Sequence, residues 1–144
     1  MLTNLLLGTA LIAATVVIHT VGLISLSHMI ARLVLWFRLH RHDFWRTLAM
    51  VATVLGLFAI HTAEVWLWAA TYLRTGAVSD FQDALYLSTA SFSTLGAERG
   101  PAAEPWRLLI ALESVDGFML IGWSIAFLVA ASTRHGPFRE GEHF

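Results

Sequence analysis

The sequence predicts an all-α membrane protein with three transmembrane helices and a re-entrant helix and loop between the second and third. Three observations carry this. Of the 144 residues, 57% are hydrophobic and 13% charged, and the mean hydropathy is +0.67; a soluble domain of this size has no interior large enough for that much apolar surface. Three apolar stretches are each long enough to cross a bilayer. Between the last two lies FQDALYLSTASFSTLGAER, residues 81–99, too polar to be a span itself. The net charge of −1 argues against nucleic acid as a partner, and the absence of cysteine excludes disulfides and thiolate metal sites.

The first span occupies residues 1–31. Its apolar run from Leu5 to Ile30 gives about 39 Å of helix at about 1.5 Å per residue, enough for one tilted crossing. It has no basic leader and outlasts a signal-peptide core, so it is expected to be retained. Thr15, Thr20, Gly22, Ser25 and Ser27 suit close packing against another helix. Residues 32–47 mix four arginines with Trp36, Phe37 and Trp45, the composition of a headgroup-level cytoplasmic linker. The second span covers 48–73, with Trp66, Trp68 and Tyr72 expected as an interfacial aromatic belt at its far end. The third covers 106–133, and 134–144 form a polar tail.

Arginine sets the orientation, since the chain has no lysine. Arg32, Arg38, Arg41 and Arg46 fall on one side with Arg134 and Arg139, against Arg74, Arg99 and Arg107 on the other. The positive-inside rule then places the N-terminus outside and the C-terminus in the cytoplasm of a cell (inner) membrane.

The central segment divides into two. Residues 80–92 read as a short amphipathic helix with Ser79 or Asp80 as N-cap. Residues 93–99 follow as a small, hydroxyl-bearing turn that cannot continue it. A short helix leading into a Thr/Gly turn between two spans is the layout of a re-entrant pore loop, whose backbone must be buried in protein or line water.

Ala84-Leu85-Tyr86-Leu87-Ser88, then Phe92-Ser93-Thr94-Leu95-Gly96, then Trp106-Arg107-Leu108-Leu109 resembles the pore module of the two-transmembrane potassium-channel family, with ALESVDGFMLIGWSIAFLV similar to its inner helix. The similarity spans roughly Leu48–Ser132; the first span is an addition. The resemblance implies a homotetramer around a central pore in the lipid bilayer and a permeant cation (K⁺ first, Na⁺ or Ca²⁺ as alternatives); no cofactor and, from the absence of catalytic motifs, no enzymatic activity are expected. It places the ion-conducting filter at Ser93, Thr94, Leu95, Gly96, Ala97 and Glu98, with the cation held at Thr94 and Glu98. Gly117 and Gly122 fall where inner helices carry hinges, though helix packing explains them equally well.

The outer filter departs from the family pattern. Where the family reads T-V-G-Y-G-D, this chain reads Thr94-Leu95-Gly96-Ala97-Glu98-Arg99. Ala97 removes an aromatic brace, and Glu98 replaces a glycine at a cost of about 1–2 kcal/mol per subunit if positive φ is needed there. Remodelled outer ion sites are expected. Glu98 either forms an anionic ring that selects cations, divalent ones included, or pairs with Arg99 or Arg107 of a neighbour.

Ionisable residues within the spans are functional candidates. His61 and Glu64 share a helix face, and His19 lies at similar depth, so a polar cluster tying the first span to the rest is expected, either a hydrogen-bonded structure or a proton- or metal-responsive one. Glu113 is expected behind the short helix, bonded to Ser88, Ser91 or Ser93. Asp116 either lines the cavity as a negative ring or is buried with a hydrogen-bond partner. No catalytic triad, nucleotide loop or zinc motif is visible, and inverted transporter repeats are absent. The rival to a channel is a non-conducting, channel-like membrane scaffold.

Overall fold

The computed structural model describes residues 1–36, 43–96 and 104–135. Four helices account for them: α1 (Leu2–Trp36), α2 (Asp43–Thr75), α3 (Phe81–Phe92) and α4 (Arg107–His135), the last entered through a 3₁₀ turn at Glu104–Trp106. No strand occurs among the described residues. Stretches of α1, α2 and α4 of 32, 32 and 27 residues are long and apolar enough to cross a membrane. Both α1 and α2 run past the bounds expected from the sequence, because arginine, tryptophan and phenylalanine at a span's end are compatible with continued helix. Of the expected linker at 32–47, residues 32–36 and 43–47 are helical, and residues 37–42 lie outside the described residues.

The outward surface is apolar: Val17, Val21, Leu55, Phe58, Ile125 and Val129 are each more than half exposed. The interior carries the polar groups. On α1 the buried positions Asn4, Gly8, Leu11, Thr15, His19, Leu23, Leu26 and Ile30 recur every three or four residues, one helix face by the 3.6-residue period. On α4 the matching face is Leu109, Glu113, Asp116, Leu120 and Ser124. This inversion fits a lipid-facing surface, where apolar side chains meet a solvent like themselves and polar ones must turn inward.

α2 ends in a Schellman motif. The Gly76 N–H donates to Leu73 O (3.2 Å), the Ala77 N–H to Tyr72 O (3.0 Å), and Gly76 takes φ +71°, the left-handed cap that glycine adopts without strain. Asp80 then caps α3: its carboxylate accepts the N–H groups of Gln82 (2.7 Å) and Asp83 (3.3 Å), satisfying donors that have no partner in the first turn.

α3 returns along the helices that flank it. Phe81 stacks edge-on with Trp66 at 6.0 Å and Phe92 with His61 at 5.5 Å, while Ser88 Oγ lies 2.9 Å from Val65 O. So α3 descends α2 as its own numbering rises. Its last turn meets α4 at Gly117, where a Cβ would stand 2.1 Å from Phe92 O; only glycine admits the α3 backbone this closely. At about 1.5 Å per residue, Gly117 is about 15 Å from the start of α4 and His61 about 21 Å from the end of α2. α3 therefore stops between about a third and a half of the way along the long helices, well inside both.

Candidate functional site

Two features of different character meet at the end of α3. The first is the turn Ser93-Thr94-Leu95-Gly96, all four residues exposed, Leu95 at 80%. Ser93 N–H donates to Thr89 O (3.1 Å), Thr94 N–H to Ser91 O (3.0 Å) and Gly96 N–H to Ala90 O (3.1 Å). These bonds close the helix end and direct the chain out of it. Thr94 has φ +60° and Gly96 φ +78°; Thr94 is the one non-glycine residue in the left-handed region among the described residues. Of the residues expected to form a filter, these four make one continuous exposed turn, whereas Ala97 and Glu98 lie outside the described residues.

The second feature is a stack of three buried carboxylates behind the turn, each joining several helices. Glu113 of α4 is fully buried and accepts hydrogen bonds from the Tyr72 hydroxyl of α2 and the Ser88 hydroxyl of α3. One turn along, Asp116 accepts from Thr15 Oγ1 of α1 (2.8 Å) and Trp68 Nε1 of α2 (3.2 Å). Deeper still, Glu64 of α2 is fully buried between His19 Nδ1 of α1 and His61 Nδ1 of its own helix, each 2.9 Å from a different carboxylate oxygen. His61 Nε2 reaches Ser124 Oγ of α4 at 2.9 Å. A carboxylate in hydrocarbon costs several kcal/mol unless it is hydrogen-bonded, so these partners are what allow three acidic groups inside one bundle.

The structure brings His19, His61 and Glu64 into one cluster, and Glu113 onto Ser88 behind α3. Ser91, named with it as a partner, has a buried hydroxyl without a hydrogen-bond partner among the described residues. Asp116 faces α1 and α2 and is 4% exposed, so the position weighed as cavity-lining is an interior one, held there by the indole and the threonine. Gly117 is the seat of α3, a packing role; Gly122 is exposed with open space around it.

Sequence reasoning placed Thr15 on a packing face without its Asp116 partner, and missed Trp68, Tyr72 and Ser124 as members of this interior. Trp68 and Tyr72 are fully buried hydrogen-bond donors, leaving Trp66, 55% exposed, as the outward-facing member of the expected aromatic belt. A usable signal was present: Glu64, Trp68 and Tyr72 are spaced by four on one helix face. No known protein family, curated protein or solved structure matches the chain.

Proposed function

We propose that this chain is a subunit of a homotetrameric cation channel, with α3 as pore helix and Ser93–Gly96 as the described part of a filter that Ala97 and Glu98 continue. The observation that carries the reading is the position of the exposed turn. A non-helical backbone this far inside a set of membrane-spanning helices must be covered by protein or line water, and one copy of this chain leaves it open. Four copies around an axis would cover it and create the water-filled path at once.

The chemistry suits a cation. The C-terminal end of α3 points into the turn, and the negative end of a helix dipole favours positive charge there. Carbonyls of Thr94 and Leu95, with the Thr94 hydroxyl, are the oxygen donors that would replace part of an ion's hydration shell. Thr94 sits in a conformation that costs a β-branched residue about 1–2 kcal/mol, and strain of this kind clusters at functional sites. K⁺ is the first candidate, with Na⁺ or Ca²⁺ to be distinguished at Glu98.

Purified protein in liposomes should pass cations down a gradient and run as a tetramer in native mass spectrometry. Thr94→Val, which keeps shape and strain but removes the hydroxyl, should lower flux by about tenfold or more, the equivalent of about 1.4 kcal/mol. Vesicles that stay tight to K⁺, Na⁺ and Ca²⁺ while the tetramer persists would establish the scaffold reading instead. Glu98→Gln should weaken divalent block; unchanged selectivity would dispose of the anionic ring.

A further inference from the structure

Within the buried stack, the His19–Glu64–His61 layer differs from the other two. Glu113 and Asp116 hold hydroxyl and indole donors, groups with no affinity for a transition metal. Glu64 is held by two imidazoles arriving from α1 and α2, and one ligand atom from each of the three residues lies within 4.8 Å of the others. We propose that His19, His61 and Glu64 form a binding site for a borderline-soft divalent cation, Zn²⁺ being the best match, inside each subunit and independent of whether the chain conducts.

Three observations support this over a closed hydrogen-bond cluster. The first is charge. Glu64 is fully buried, and among the described residues its ion-pair partners are both histidines. A cation held between the three side chains is a stabilising complement to a carboxylate in this buried place. The second is an orphan. If His19 donates from Nδ1 to Glu64, its Nε2 carries a bare lone pair, and that buried atom has no hydrogen-bond partner among the described residues. The hydrogen-bonded layer is therefore not closed as it stands; ligation through Nδ1 would make Nε2 an N–H, which has no acceptor among the described residues and would need one from a water entering with the ion.

The third is support around the ligands. Ligating histidines usually anchor their second nitrogen on an oxygen. His61 Nε2 already has Ser124 Oγ at 2.9 Å, and a hydroxyl serves either tautomer, donating to the bare nitrogen or accepting from N–H. Two nitrogens and one carboxylate oxygen are a known three-ligand zinc set that leaves the fourth position open. Ligands at about 2.0 Å from a tetrahedral ion stand about 3.3 Å apart, so separations up to 4.8 Å close by small side-chain rotations. His61 is also the way in. Its side chain is 19% exposed and lines a cleft of about 480 Å³ that reaches Phe92 and Ser93, which puts the open coordination position toward the end of α3.

The test uses the full chain in detergent, stripped with chelator and titrated with Zn²⁺ against a chromophoric competitor. We expect one Zn²⁺ per chain. His61→Gln and Glu64→Gln should each weaken binding by more than about a hundredfold, and Ser124→Ala by about tenfold, with helical circular dichroism unchanged. Zn²⁺ retained equally by both Gln variants, or one Zn²⁺ per four chains, would overturn the assignment. Should a variant unfold, the wild-type chain supplies its own test: bound Co²⁺ should show the intense visible bands of a four-coordinate site and lose them to Zn²⁺. A weak six-coordinate Co²⁺ spectrum, or no retained metal, would equally overturn it.

Discussion

α2 and α3 both stop at a residue in the left-handed region, Gly76 at φ +71° and Thr94 at φ +60°. Each ending takes a 5→2 hydrogen bond, Gly76 N–H to Leu73 O and Thr94 N–H to Ser91 O. The first ending uses the residue that adopts this conformation freely. The second uses a β-branched residue that pays about 1–2 kcal/mol for it. Nothing lies within 4 Å of a Cβ built at Gly76, so that position is a pure stop signal. The contrast singles out Thr94, since a glycine would end α3 at lower cost, and what threonine adds there is its hydroxyl-bearing side chain. Inference from an observed strain to function runs in this direction.

The largest way to break the comparison is to dislodge α3. Gly117→Val puts a branched side chain where even a Cβ meets Phe92 O at 2.1 Å. Backbone cannot retreat as a flexible side chain can, so the loss should reach about 3 kcal/mol, the upper part of the overpacking range. Equilibrium unfolding in mixed micelles measures it, and an unperturbed midpoint would mean that α3 does not seat on α4.

Next comes the bond that links the two endings. Glu113 receives the hydroxyl of Tyr72, near the end of α2, and that of Ser88 on α3. Glu113→Ala leaves both donors without this acceptor in a buried site, for about 2–3 kcal/mol. Glu113→Gln, which keeps an acceptor oxygen and the volume, should recover about half. Equal losses for Ala and Gln would show that charge, rather than hydrogen bonding, holds the two helices.

How much of this was legible in the sequence follows from which physics each feature obeys. The three long helices were, because apolar length is a local property. So was the meeting of His19 with His61 and Glu64, since i,i+3 spacing and equal depth are both read by counting along a helix. Asp116 was not, because the direction it faces depends on how α1 and α4 are rotated against each other, and its partners Thr15 and Trp68 are 101 and 48 residues away. Trp68 misled for a different reason: an indole at a span's end suits the headgroup layer and a buried hydrogen bond equally well. The positive φ of Thr94 had no local signal, as threonine is a residue that sequence rules steer away from that conformation.

A smaller effect copies one ending onto the other. Gly76→Thr should cost about 1–2 kcal/mol, with no steric contribution because the surrounding space is open. A cost near zero would mean that this chain's turns tolerate threonine at positive φ, and the strain argument for Thr94 would fall with it.

The reciprocal change, Thr94→Gly, has the smallest expected effect on stability and the most to say. Relief of left-handed strain favours the folded state by about 1–2 kcal/mol, and the greater freedom of glycine in the unfolded chain takes back about 0.5–1 kcal/mol. The net change should be a stabilisation of between about 0 and 1.5 kcal/mol. If the hydroxyl and its fixed backbone serve a permeating cation, flux in liposomes should nevertheless fall by about tenfold or more, so stability and transport move in opposite directions at one position. Thr94→Gly with stability raised and flux intact would leave Thr94 without a chemical reason to replace glycine. A fall in both would mean that the side chain packs against a neighbouring copy, making this turn part of the subunit interface rather than of the ion path.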